Sequence, residues 1–341
     1  MQAKKTFKIG SSDFKKTIEN NHYFVDKTLL VKEFIDNSYD IQLITRPRRF
    51  GKTMNLSMLE HFFDISKKDS AGLFSGLNIS QEEDFCRQHQ NQYPVINLSL
   101  KSIKAKSYDE SISELKVIIA GLYKNHEYLL NSEELSDFDR RRFNEIMNEE
   151  ASLSSYKYSL LFLSEYLRKH YNKEVIILLD EYDTPIVNAY KNPHKEDDEE
   201  NTHYRYIIQF MQTFMGQAFK GNNNLHKAMI TGIMRVARES IFSELNNPGI
   251  FSIFDYDFAD KFGFTEDEVK DLYNYFQPQD DFSDIKQWYN GYKIGQVDNL
   301  YNPWSVVNYI SKHRQGFDSY WVRSGTDDLI NKYFIMPENA G

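Results

Sequence analysis

Residues 41–53, IQLITRPRRFGKT, run a short apolar segment straight into a loop that closes on Gly-Lys-Thr. Leu56, Leu59 and Phe63 follow at helical spacing. Strand, tight loop and helix in that order gather backbone N–H groups at a helix N-terminus, an arrangement that suits an anion. The usual phosphate-loop pattern is G-x-x-x-x-G-K-[ST]. Gly51, Lys52 and Thr53 fit it, whereas Arg46 takes the place of the first Gly. Pro47 offsets part of the lost backbone freedom by fixing its own φ and restricting Arg46. The stretch Arg46, Pro47, Arg48, Arg49, Phe50, Gly51, Lys52, Thr53 and Met54 is therefore the expected contact surface for a nucleoside triphosphate. Within it, Lys52 is expected to reach the β- and γ-phosphates, and the Thr53 hydroxyl to ligate Mg²⁺. Arg48 and Arg49 have four open readings, as contacts to phosphate, to a partner's carboxylates or to DNA, or as structural residues that only shape the loop.

A second apolar run, Glu174 to Leu179, ends in Asp180-Glu181. That is the form of a Walker B strand. Asp180 is expected to share Mg²⁺ with the loop hydroxyl, and Glu181 to polarise the attacking water as general base. Tyr93 to Leu100 and His226 to Thr231 read as further strands, with helices at roughly 107–124, 155–171 and 203–219. Continuous apolar strands alternating with helices predict an α/β parallel sheet covered on both faces. With the two motifs on its strands it has the form of a P-loop NTPase core of the additional-strand (ASCE) branch. Ligands gather at the C-terminal rim of such a sheet, so Lys52, Thr53, Asp180 and Glu181 can converge there. Thr231, at the end of its strand, is the candidate γ-phosphate sensor. Arg235 and Arg238 are the candidates for an arginine sensor or finger.

Other chemistries find little support. The guanine-reading N-K-x-D motif is absent, because Asn172-Lys173-Glu174-Val175 and Asn331-Lys332-Tyr333-Phe334 lack its Asp, so ATP is the expected nucleotide. A single cysteine, Cys86, and nine histidines without paired-ligand spacing argue against zinc and against an internal disulfide. Asp284-Ile285-Lys286 matches part of a PD-(D/E)XK nuclease motif but has no apolar strand around it. Net charge of -9 disfavours a surface coated with nucleic acid. Lys4-Lys5, Lys15-Lys16 and Arg140-Arg141-Arg142 read as solvated faces, and nucleic acid stays open as a partner. No apolar run reaches the ~18–20 residues of a membrane span, and the N-terminus lacks a signal-peptide h-region, so a cytoplasmic location without a membrane partner is expected.

Thr265-Glu266-Asp267-Glu268 has the form of a capping box, and Asn302-Pro303 that of an N-cap before Pro at N1. A boundary near 258–264 is expected to separate an ATPase core over 1–260 from a smaller helical or winged lid region over 261–341. The tail has no obvious closing element, so the chain reads as part of something longer.

Several long segments resemble the bacterial AAA-ATPase-like family. They are FVDKT (24–28), LITRPRRFGKTMNLSML (43–59), LLDEYDTPI (178–186), TGIMRVARESIFSELNN (231–247), FGFTEDEV (262–269) and the stretch from WYNGYKIG through YNPWS (288–305). Arg46 belongs to that family's own pattern. The resemblance implies an ATPase core related to STAND and archaeal ATPases, followed by a lid and commonly by a PD-(D/E)XK nuclease-like domain. It also implies that Phe24 to Lys27 lies near the adenine, with Phe24 and Asp26 as cofactor-binding residues and an aromatic ring stacking on the base. The leading expectation is an ATP-driven switch for an attached or partner effector, with ATP or ADP and Mg²⁺ bound. A nucleotide-gated scaffold that barely hydrolyses, with or without nucleic acid, and a small-molecule kinase are the alternatives. Homo-oligomerisation is left open, since a finger supplied in trans would require it.

Overall fold

The computed structural model describes residues 4–192, 202–236, 248–312 and 316–320. Five strands form one sheet: β1 (Ile41–Thr45), β2 (Val95–Ser99), β3 (Val175–Asp180), β4 (Leu225–Gly232) and β5 (Gly249–Phe251). Their order is β2-β3-β4-β1-β5, and every pairing is parallel. β4 is inserted between β1 and β3. Thr231 pairs with Ile44 on one side, and Ile230 pairs with Leu179 on the other. This is the α/β P-loop NTPase arrangement expected from the strand pattern.

The helices among the described residues are α1 (Phe14–Glu19), α2 (Leu30–Asp36), α3 (Lys52–Phe63), α4 (Glu83–His89), α5 (Tyr108–Asn125), α6 (Asp137–Met147), α7 (Leu153–Lys157), α8 (Ser159–Tyr171), α9 (Thr184–Lys191), α10 (Thr202–Phe219), α11 (Glu266–Phe276), α12 (Phe282–Tyr289) and α13 (Pro303–Lys312). Successive strand residues face opposite sides of a sheet. Ile177, Leu179, Ala228 and Ile230 accordingly join one core with residues of α5, α6, α8 and α10. Ile176, Leu178 and Met229 join the other with residues of α1 to α4. The strands read as unbroken apolar runs because both faces are buried, at roughly 1.5–3 kcal/mol per large side chain.

Beyond β5, α11, α12 and α13 pack with the antiparallel hairpin β6 (Asn290–Ile294) and β7 (Val297–Tyr301). Val269, Leu272, Ile285, Val306 and Tyr309 form a cluster of their own there. Thr265 and Glu268 make the reciprocal bonds of a capping box at the start of α11. Asp284-Ile285-Lys286 lies on α12, with Lys286 paired to Glu266, so it is not part of a nuclease strand.

Several elements depart from the sequence expectation, β5, α9, α12 and the β6–β7 hairpin among them, and two concern segments singled out there. α6 was not apparent, because its surface is mostly charged and only Phe143 and Ile146 give it an apolar anchor. It carries Arg140-Arg141-Arg142. Arg140 donates to the carbonyls of Leu130 and Ser132, and Arg142 lies over the rings of Phe138 and Phe162. The helix expected at 155–171 is broken at Tyr158 into α7 and α8.

Candidate nucleotide site

The loop between β1 and α3 closes through backbone that L-residues rarely adopt. Gly51 has φ 83° and ψ 9°. A Cβ at Gly51 would meet no atom within 4 Å, so the left-handed φ alone makes glycine the suitable residue. Arg49 is left-handed too, at φ 67°. Lys52 folds back into the loop, its ammonium donating to the carbonyls of Arg46 at 2.9 Å and Pro47 at 3.0 Å. Burial pulls its pKa below the ordinary lysine value, against the opposing charges of Asp183, Glu181 and Asp180.

Asp180 is buried at the end of β3 and is gripped from both sides. The Thr53 hydroxyl donates to its Oδ2 at 2.7 Å, and the Thr231 hydroxyl to its Oδ1 at 2.6 Å. Three residues from three elements thus meet at one carboxylate, although 127 positions separate Thr53 from Asp180. The inserted strand β4 is what brings Thr231 there. Glu181 follows with φ 51°, a conformation that costs a non-glycine residue about 1–2 kcal/mol. The turn is held by the Thr184 N–H on the Glu181 carbonyl and by the Tyr182 N–H on the Thr231 carbonyl.

The rest of the D-E-Y-D segment clamps the chain that leaves β4. Asp183 Oδ2 accepts from the N–H groups of Ile233 and Met234 at 2.8 and 3.1 Å. The Tyr182 hydroxyl donates to the Met234 carbonyl and accepts from the Val236 N–H. Burial pushes the Asp183 pKa up, while the two backbone donors and Lys52 pull against it. Gly232 lets Tyr182 lie close, since a Cβ there would sit 2.6 Å from the ring. Tyr182 and Asp183 were not singled out in the sequence. The signal was the run DEYD itself, in which two more polar residues follow the Walker B pair.

A cavity of roughly 580 Å³ opens over the loop. Gly51, Lys52, Thr53, Met54 and Glu181 line it, together with Arg48, Arg49 and Phe50. Phe24 reaches its wall from the segment ahead of β1, and Phe264 and Trp304 from the region after β5. Lys101, Lys104 and Thr184 also line it and were not expected there. The only sequence signal for the lysines is a K-x-x-K just past a strand end.

Several expected residues lie elsewhere. Arg46 is fully buried and does not line the cavity. Its guanidinium donates to the carbonyls of Thr45, Phe251, Ser252 and Phe258. Burial lowers its pKa to about 10, with Asp255 and Glu33 opposing, so it stays cationic at neutral pH. The side chain that replaces the first Gly therefore pins the end of β5 and the chain after it. Pro47 enters the site only through its carbonyl. The Asp26 carboxylate is taken up by the Thr28 N–H and hydroxyl and by the Asn78 N–H, and holds a turn. Arg235 is exposed and off the cavity wall. Arg238 lies outside the described residues.

The loop is also tied to the region after β5. The Arg49 guanidinium lies 3.6 Å from the centroid of the Trp304 ring. Phe50 is fully buried in a cluster with Ala259, Ile294 and Leu300, and meets Tyr292 edge to face. Lys27, from the segment ahead of β1, pairs with Glu268 of the capping box.

A family model described as "Predicted AAA-ATPase" matches residues 8–242. An uncharacterized protein of the vnfD 5′ region in Azotobacter chroococcum mcd 1 is 26% identical over 330 residues, which cover 96% of this chain and 56% of that one. The chain thus spans just over half the length of that relative. A Walker-type ATPase of Pyrococcus abyssi aligns with a TM-score of 0.42 at 13% identity, over 93% of this chain and 72% of that chain.

Proposed function

The chain belongs to the AAA-ATPase-like family, and on that premise we propose that it binds ATP with Mg²⁺, hydrolyses it, and passes the change to the region after residue 260. The observation that carries this reading is the double grip of Thr53 and Thr231 on Asp180. Thr53 and Asp180 offer two oxygen donors side by side, which suits a hard cation that takes its remaining ligands from water and phosphate. Among the described residues no group of three or more His, Cys, Asp or Glu could hold a metal, in keeping with a cation shared with its nucleotide. Mg²⁺ bound there supplies charge neutralisation at the β- and γ-phosphates.

The chain's own residues do the rest. The left-handed turn at Gly51 leaves the loop backbone open to phosphate. Lys52 exchanges the carbonyls of Arg46 and Pro47 for phosphate oxygens. Glu181 accepts a proton from the water that attacks the γ-phosphorus. The bond from that phosphorus to the bridging oxygen breaks, and ADP and phosphate leave. Thr231 keeps Asp180 in place during the step. Phe24, on the cavity wall, packs against adenine, and Asp26 shapes the turn that presents it. Arg235 is exposed and off the wall, so a finger role for it calls for a neighbouring copy of the chain. Residues 1–260 form the ATPase core and residues from 261 onward the lid. The Arg49–Trp304 stack and buried Phe50 support the switch reading, because both join the phosphate loop to the lid.

The test is an equilibrium titration with ATP and Mg²⁺. Wild type binds, and Lys52→Ala weakens binding by about tenfold or more, the loss expected for a charge-assisted contact. Equal affinity in both proteins contradicts the assignment.

A further inference from the structure

The loop that leaves β2 reads Leu100-Lys101-Ser102-Ile103-Lys104-Ala105-Lys106. Leu100, Ile103 and Ala105 are buried, while Lys101, Lys104 and Lys106 are exposed. The buried residues fix the loop on the core. The Leu100 N–H donates to the Asp180 carbonyl at 3.0 Å, and the Ile103 N–H donates back to the Leu100 carbonyl. The Lys104 N–H donates to Glu114, and the Asn188 side chain donates to the Ala105 carbonyl. Ser99 pairs with Asp180 in the sheet, so Lys101 emerges beside the Asp180-Glu181 turn.

Lys101 and Lys104 line the same cavity as Lys52, Thr53 and Glu181, whereas Lys106 does not. Lys8 and Arg48 share that wall and likewise show no carboxylate partner among the described residues, while three other cations are engaged. Lys27 pairs with Glu268, Lys261 with Glu33 and Asp260, and Arg49 stacks on Trp304. Among the described residues, neither Lys101 nor Lys104 has a carboxylate within 4.0 Å of its ammonium, in a protein of net charge -9. Two lysines that line one cavity with Glu181, without a carboxylate within 4.0 Å among the described residues, suit an anion inside the cavity. A duplex backbone would instead need cations spread over an outer face.

We propose that Lys101 and Lys104 contact the γ-phosphate of bound ATP and stabilise the charge it develops during hydrolysis. The proposal rests on the ATP reading above. It makes the loop after β2 a cis-acting sensor of triphosphate against diphosphate. The cations sit on the chain that carries the Walker B turn, so the site needs no neighbouring copy to supply them.

The experiment measures ATP and ADP affinity with Mg²⁺, and phosphate release, for the full chain. Its variants are the double variant Lys101→Ala/Lys104→Ala, the double variant Lys101→Arg/Lys104→Arg and the control Lys106→Ala. The alanine pair is expected to weaken ATP by about tenfold, leave ADP unchanged and slow phosphate release by about 100-fold. The arginine pair restores the preference for ATP, and the control matches wild type. Unchanged ATP preference and turnover in the alanine pair overturns the proposal. So does an alanine pair that keeps its ATP preference but loses binding to a duplex DNA oligonucleotide, since the loop would then serve nucleic acid. A wild type that binds neither nucleotide overturns the ATP reading, and this proposal with it.

Discussion

Arg46→Gly restores the ordinary phosphate-loop pattern and so separates two readings of an arginine at that position. In the structure the guanidinium is fully buried and serves the carbonyls of Phe251, Ser252 and Phe258 as well as that of Thr45. A buried acceptor that loses its partner costs about 1–3 kcal/mol. Water entering the vacated space re-pairs part of the set, so about 1 kcal/mol for each of the three distant carbonyls is a fair figure. Glycine adds about 0.5–1 kcal/mol of backbone entropy. Relief from holding a charge in the interior, seen in the pKa lowered to about 10, works the other way. The net loss is about 3 kcal/mol, a large part of a domain's stability of about 5–15 kcal/mol. At about 2–4 °C per kcal/mol for a sizeable domain, Tm falls by roughly 10 °C. Below that transition, ATP affinity stays within about threefold of wild type, because no phosphate contact is removed. Thermal unfolding and an ATP titration on the same preparation check both halves. An unchanged Tm together with lost ATP binding would refute the reasoning, since Arg46 would then be acting on the nucleotide.

Two further outcomes follow from particular contacts. Gly232→Ala puts a Cβ 2.6 Å from the Tyr182 ring, whose hydroxyl is held at Met234 and Val236, so the clamp must shift. Overpacking of this kind costs about 1–3 kcal/mol, read as a lower urea midpoint, and turnover falls with it as Thr231 moves from Asp180. Burial holds the pKa values of His61 and His89 below 6.5. The unfolded chain therefore takes up protons on acidification before the folded one does. The stability from these two residues is complete above pH 6.5 and is lost as pH falls through their folded values. Tm should drop as pH falls below about 6.5, and less steeply in His61→Gln/His89→Gln; equal slopes would discount the two histidines.

The sheet and the pair of motifs were legible because both depend on local pattern. An unbroken apolar run means a strand buried on both faces, and a glycine before Lys-Thr means a left-handed turn at the head of a helix. Arg46 was misleading for a physical reason. Its partners lie at 251, 252 and 258, and nothing near position 46 signals that its charge is met by distant carbonyls. Asp26 neighbours Phe24, which reaches the cavity wall, yet its carboxylate is consumed by a turn and by Asn78. β5, at three residues, is too short to give a periodic signal, and it forms because Ile44 and its neighbours on β1 offer a free edge. Lys101 and Lys104 could not be told from solvated lysines in the sequence, because only the fold puts them on the wall of the cavity that Glu181 also lines.

The central claim is that Glu181 activates water at a nucleotide held by Lys52 and Thr53. Its most direct test is the initial rate of phosphate release by Glu181→Gln under saturating ATP and Mg²⁺. The amide keeps the size of the side chain and removes its basicity. The predicted result is ATP binding equal to wild type with phosphate release lower by about 100-fold or more, the share a positioned general base supplies. Release at the wild-type rate, with binding intact, would contradict the account.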